Sequence, residues 1–100
     1  MSDPESDFHH AMMGVYENAR QHEYFATYFK GMLDRHGGLE TARRLLAKQE
    51  IQAGLMKLWE LGLLDRSMEA LVVQDRFAQL FTRTEIEEAR RRLVELGHFD

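Results

Sequence analysis

One hundred residues with no cysteine, one proline and thirteen basic against seventeen acidic side chains, for a net charge of −4, describe one compact soluble domain with no room for a second core. The lack of cysteine excludes a disulfide framework, a thiol nucleophile and a thiolate zinc site, and apolar runs such as Ala70 to Val73 fall far short of the roughly 20 residues that cross a bilayer. The acidic start Met1-Ser2-Asp3-Pro4-Glu5 is unlike an export signal, so a cytoplasmic location is expected, and the acidic total disfavours nucleic acid without forbidding a local basic face.

Asp3 before Pro4 predicts a capped helix start, because a carboxylate accepts from unpaired amides and proline suits the first turn. Phe8, Ala11, Met12, Val15, Tyr16 and Ala19 then recur at spacings of three and four, which places them on one buried stripe. A second helix is expected from about His22 to His36, stopped by Gly37-Gly38, where glycine takes the left-handed conformation without a side-chain penalty. A third, from Leu39 to about Lys48, sets Leu39, Ala42, Leu45 and Leu46 inward and a mostly basic face outward. Gln49 to Ala53 reads as a connection. Leu55, Leu58, Trp59 and Leu61 form a short fourth helix that starts near Gly54 and ends at Gly62.

Asp65 or Ser67 caps a fifth helix carrying Met68, Leu71 and Val72, and Phe77, Leu80 and Phe81 make a short helical turn. Thr82-Arg83-Thr84-Glu85 is the clearest local signal, a capping box flanked by Phe81 and Ile86 as a hydrophobic staple. It begins a sixth helix in which Glu85, Glu87 and Glu88 precede Arg90, Arg91 and Arg92, an order that suits the helix dipole and pairs charges four apart, and Gly97 ends it. Period-two alternation is missing throughout. The expected fold is a compact, irregular, all-helical bundle of five or six helices.

From Gly37 onward the residues resemble a known group. Gly37-Gly38-Leu39-Glu40-Thr41-Ala42-Arg43-Arg44-Leu45-Leu46, then Leu58-Trp59-Glu60-Leu61-Gly62, Leu64-Asp65, Ser67, Glu69-Ala70-Leu71-Val72, and Leu80-Phe81-Thr82 with Glu85 are similar to a group of small bacterial helical proteins with no assigned activity. The similarity covers about the last two thirds of the chain. It departs between Ala47 and Leu55, where the group carries a loop containing proline and glycine and this chain has Lys48-Gln49-Glu50-Ile51-Gln52. The resemblance implies a bacterial source and a single helical domain, and it carries over no functional residue.

The residues offer little chemistry of their own. No pair of the five histidines has the spacing that puts two imidazoles on one helical face, and His9 and His10 point about 100° apart, so solvated histidines and no metal or other cofactor are expected. Glu87 and Glu88 are explained by helix-end electrostatics, and no nucleophile, base and oxyanion donor come together as an enzyme requires. On a helical wheel Tyr24, Phe25, Tyr28, Phe29, Met32 and Leu33 cover about half the circumference, more than one packing neighbour needs. Phe25 and Phe29 are expected in the core. Tyr24 and Tyr28 at the edge, with Arg35 beside them, are the residue types that dominate protein interfaces and point to binding of another protein or a second copy. Trp59 is a further anchor or a core residue with its indole nitrogen bonded to a carbonyl. The alternative is a DNA-binding helix-turn-helix module, in which Arg43, Arg44, Lys48, Lys57 and Arg66 line a groove-facing side.

Overall fold

The computed structural model describes residues 3–48 and 51–98. Gln49 and Glu50, at the start of the connection expected up to Ala53, lie outside the described residues, as do Met1, Ser2, Phe99 and Asp100. Five α-helices and two 3-10 turns follow one another: α1 (Pro4–Gln21), α2 (Thr27–Leu46), α3 (Ala53–Glu60), a 3-10 turn over Leu64–Arg66, α4 (Met68–Val72), a second 3-10 turn over Asp75–Leu80, and α5 (Arg83–Glu95). No strand occurs among the described residues. The all-helical bundle expected from the periodicity is what forms, with a six-helix count if α2 is divided at its kink.

The local signals place most of the helix ends. Asp3 caps α1 by accepting from the Glu5 amide at 3.3 Å. Ser67, rather than Asp65, caps α4: its hydroxyl accepts from the Ala70 amide at 3.2 Å and donates to the Leu64 carbonyl at 2.7 Å, so one buried group ties the 3-10 turn to the helix. The capping box at α5 is complete, with the Glu85 amide donating to Thr82 Oγ1 at 3.1 Å and the Thr82 amide to Glu85 Oε1 at 2.8 Å. Gly62 and Gly97 close α3 and α5 in the left-handed conformation, at φ 73° and 84°.

The second helix starts five residues later than its apolar pattern suggests. Between α1 and α2 the chain makes a Schellman turn, in which the Tyr24 amide donates to the Ala19 carbonyl at 2.9 Å and the Glu23 amide to Arg20 at 3.0 Å. The left-handed position, at φ 64°, belongs to Glu23, where a sequence reader looks for glycine. Tyr24 and Phe25 therefore stand on a turn rather than on a helix face, and the apolar sector of α2 narrows to Tyr28, Phe29, Met32 and Leu33, about 140° at 100° per residue. Phe25, expected in the core, is 61% exposed, and Phe29 is only partly buried.

At Gly37, with φ 80° and ψ 169°, α2 breaks and turns. Gly38 beside it lies against α1 so tightly that a Cβ there would stand 2.7 Å from the His9 Cα, which only glycine permits. His9 secures the crossing by accepting the Gly38 amide proton on Nδ1 at 2.9 Å.

Around this crossing the core assembles. Phe8 is fully buried and meets Phe77 and Phe81 edge-on, each ring centroid 5.1 Å away. Met12, Leu33, Ala42, Val72 and Ala89 complete the layer between α1, α2, α4 and α5. A smaller cluster of Leu55, Leu64 and Leu93 fixes α3 and its following turn to α5. The radius of gyration, 12.5 Å, matches the roughly 13 Å of a compact chain of this length. No helix of the described residues is long and apolar enough to cross a membrane.

Candidate functional site

Two features stand out beyond ordinary core packing: an open apolar cavity beside the first interhelical turn and a buried ionic network next to it. The cavity, about 460 Å³, lies between the end of α1, the turn and first residues of α2, the start of α3, and α4. That volume falls within the roughly 300–1,000 Å³ of ligand-sized sites. Its walls combine Val15, Ala19, Leu45, Leu55, Leu58 and Met68 with five aromatic residues, Tyr16, Tyr24, Phe25, Tyr28 and Phe29.

The Schellman turn positions the rim. By ending α1 at Gln21 and restarting the helix at Thr27, it turns Tyr24 toward α3, where the phenol oxygen stands 3.4 Å from the position a Cβ would take on Gly54. Phe25 and Tyr28 remain open, at 61% and 70% exposure. On α3, Met56 and Trp59 are also exposed, Trp59 at 46%. Trp59 is thus neither buried nor a core residue, so of the two roles expected from the sequence the core one does not hold. Its place on the wheel, about 40° from buried Leu55, puts it on the flank of the inward stripe.

Glu69 also lines the cavity, and it connects to a network that sequence reading missed. Arg92 of α5 is completely buried. Its guanidinium donates to Glu69 Oε2 at 3.1 Å, to Glu88 Oε2 at 2.7 Å, and to the carbonyls of Leu45 and Lys48 at 3.1 and 2.6 Å. The last two carbonyls lie at and just beyond the C-terminal end of α2, where the Leu45 carbonyl also accepts from the Lys48 amide at 3.4 Å, so Arg92 acts as a side-chain cap for a helix end 44 to 47 residues away. Burial pushes the Glu69 carboxyl above its ordinary value, opposed by its own amide and by Arg92. Hydrogen bonds from Arg91, and behind them those from Arg92, hold Glu88 down at about 2. The sequence signal was faint but present: Arg92 stands about 60° from Ala89 on the wheel, at the edge of the Ile86, Ala89, Leu93 stripe.

Of the residues expected at a partner surface, Tyr24 and Tyr28 come together at the cavity, whereas Arg35 is exposed on α2 and is not among its lining residues. Four of the five basic residues of the helix-turn-helix alternative have side-chain partners within the fold. Arg43 donates to the Leu80 carbonyl at 2.8 Å and approaches Glu85 at 3.7 Å, Arg44 pairs with Glu40 at 2.8 Å, Lys57 with Glu60 at 3.9 Å and Arg66 with Asp65 at 3.7 Å. Lys48, the fifth, is exposed and lends its carbonyl to Arg92.

The histidines divide. His9 is the structural acceptor at the helix crossing, and His22 bonds the Asn18 carbonyl at 2.9 Å through Nδ1. His9 and His36 share a second, mixed-polarity cavity of about 380 Å³ with Asp3, Glu5, Glu40 and Arg43. Among the described residues no three His, Asp or Glu side chains gather in a group that could hold a metal ion.

Comparison with family models, curated proteins and solved structures returns no match for this chain.

Proposed function

We propose that this helical domain acts by binding rather than by catalysis, and that it holds a segment of another polypeptide in the aromatic-rimmed cavity between the α1–α2 turn and α3. The observation that carries this reading is the exposure of Phe25 and Tyr28 at the mouth of an apolar cavity. Leaving two large rings in water at the mouth of an apolar cavity costs hydrophobic free energy that a partner recovers on binding. Tyrosine and phenylalanine are among the residue types enriched at the centres of interfaces, and here Tyr24, Phe25 and Tyr28 line the same cavity.

A leucine-rich peptide titrated into the full chain should shift the ring protons of Tyr24 and Tyr28. Phe25→Ala together with Tyr28→Ala should leave the melting temperature near that of the parent, since exposed substitutions change stability by only about 0.5 kcal/mol, and should abolish the shifts. Undiminished peptide binding by a folded double variant would overturn the reading. So would a double variant destabilised like one that has lost core aromatics.

A further inference from the structure

The bend that joins α1 to α2 is built without the residues that make bends. Between Val15 and Lys30 the sequence holds no glycine and no proline. The left-handed position at the end of α1 falls to Glu23, at φ 64°, a conformation that disfavours any residue with a Cβ. The start of α2 is equally bare: Ala26 stands at the N-cap with no side-chain hydrogen bond to the helix, and the first turn carries no acidic residue. Met12, Val15, Ala19, Ala26, Phe29 and Leu33 meanwhile keep one alternation of three and four straight across the bend, interrupted only at His22. Local chemistry therefore writes residues 4–36 as one helix, and packing folds it into a hairpin. The hairpin is antiparallel, with Lys30 over the ring of Tyr16 and Gly38 against His9, so its midpoint is at Glu23 and Tyr24. Beside that midpoint lie Phe25 and Tyr28, the two most exposed large apolar side chains among the described residues.

Straightening the bend in a lone chain strips α1 from α2, α4 and the second 3-10 turn and brings the buried Phe8 and Met12 into water. A second copy removes that loss, because its own α1 is released in the same way and each α1 fills the place the other has left. We infer that the chain forms an exchanged dimer of this kind, with residues 22–26 as its hinge. Glu23 returns to the right-handed helical conformation, and the unpaired carbonyls at the end of α1 and amides at the start of α2 find partners within one continuous helix. Two such helices, each about 50 Å long at 1.5 Å per residue, lie antiparallel and cross at their hinges on the two-fold axis. Phe25 and Tyr28 of each copy meet those of the other there and leave water. The dimer goes beyond the binding role proposed above and bears on it, since the mouth of the cavity stands on the bend and is lost when the bend straightens. A polypeptide held in the cavity draws the equilibrium toward the single chain.

The test refolds the full chain from guanidinium at low and at high protein concentration and measures mass by light scattering after size exclusion. High concentration should yield a dimer that persists on dilution, because its return to single chains requires α1 to leave the core. Chains carrying different isotope labels, refolded together, should show nuclear Overhauser contacts between Phe8 of one copy and Phe77 and Phe81 of the other, rings that meet within one chain in the monomer. Glu23→Gly relieves the left-handed position in both chains of the pair and should raise the dissociation constant about thirtyfold. Glu23→Val, with a branched side chain where the backbone is left-handed, should raise the dimer fraction.

A single chain at every refolding concentration would overturn the exchange. So would a dimer in which the contacts of Phe8 with Phe77 and Phe81 stay within one chain, since that describes two closed monomers side by side. Dimerisation by Glu23→Gly equal to that of the parent would remove the bend as the hinge. Peptide binding by the monomer is decided separately, by the tyrosine ring shifts.

Discussion

Replacing Arg92 by methionine should be among the most damaging single substitutions in this chain. The methionine fills much of the same space but donates nothing, so Glu69, 4% exposed, is left as a buried carboxylate without its cation. The carbonyls of Leu45 and Lys48 lose their donor at the end of α2, and Glu88 loses one of two arginine partners but stays partly in water. Breaking a buried pair from one side costs about 3–5 kcal/mol, against a total of about 5–15 kcal/mol for a domain of this kind. Guanidinium melts at neutral pH followed by helical circular dichroism should therefore show a large drop in midpoint with little change in slope. Arg92→Met combined with Glu69→Leu should recover about 1–4 kcal/mol of the loss, because the uncompensated charge is gone. The recovery stays incomplete, since the Lys48 carbonyl and the Leu45 carbonyl, which keeps the Lys48 amide at 3.4 Å, each lose one hydrogen bond from the guanidinium, at about 0.5–1.5 kcal/mol apiece. A single variant within about 1 kcal/mol of the parent, or a double variant no better than the single, would refute the account of Arg92 as the clamp between α2, α4 and α5.

The same network gives stability a two-sided pH dependence. Glu88, held at about 2 against an ordinary 4.5, contributes stability that is complete above pH 4.5 and is lost as pH falls toward 2. Glu69 has the opposite sign, because its raised folded value lets the folded chain bind a proton more readily, so its contribution declines as pH rises above 4.5. Urea melts of Glu69→Gln should lose the decline on the alkaline side and keep the acid loss. At the helix crossing, Gly38→Ala drives a methyl to 2.7 Å from the His9 Cα and should cost about 1–3 kcal/mol or more, measured by thermal melting. Glu23→Gly should stabilise the fold by up to about 1 kcal/mol, since glycine accepts the left-handed position that glutamate occupies under strain. Thr82→Ala should cost about 1 kcal/mol through the lost cap on Glu85, and equality with the parent in denaturant melts would remove the capping box from the account of α5.

Those signals that act within four residues were readable from the chain. The Asp3 and Thr82 caps, the positive-φ glycines at Gly37, Gly62 and Gly97, and the apolar stripe through Phe8 and Met12 depend on backbone hydrogen bonds and on the helical repeat, both of which are local. The start of α2 was misread because Tyr24 and Phe25 continue a helical apolar spacing while Glu23 takes a left-handed conformation that its side chain does not announce. Only the packed structure decided what Gly38, His9, Glu69 and Arg92 do. The Gly38 hydrogen bond spans 29 residues, and Arg92 reaches Glu69 across 23 and Lys48 across 44, so each partner is set by which helices cross rather than by neighbours in sequence. The cavity has the same origin. Its tyrosines were visible as an excess of apolar surface, but the surface became a site because a turn at residues 22–26 moved two rings off the helix and placed Tyr24 opposite α3.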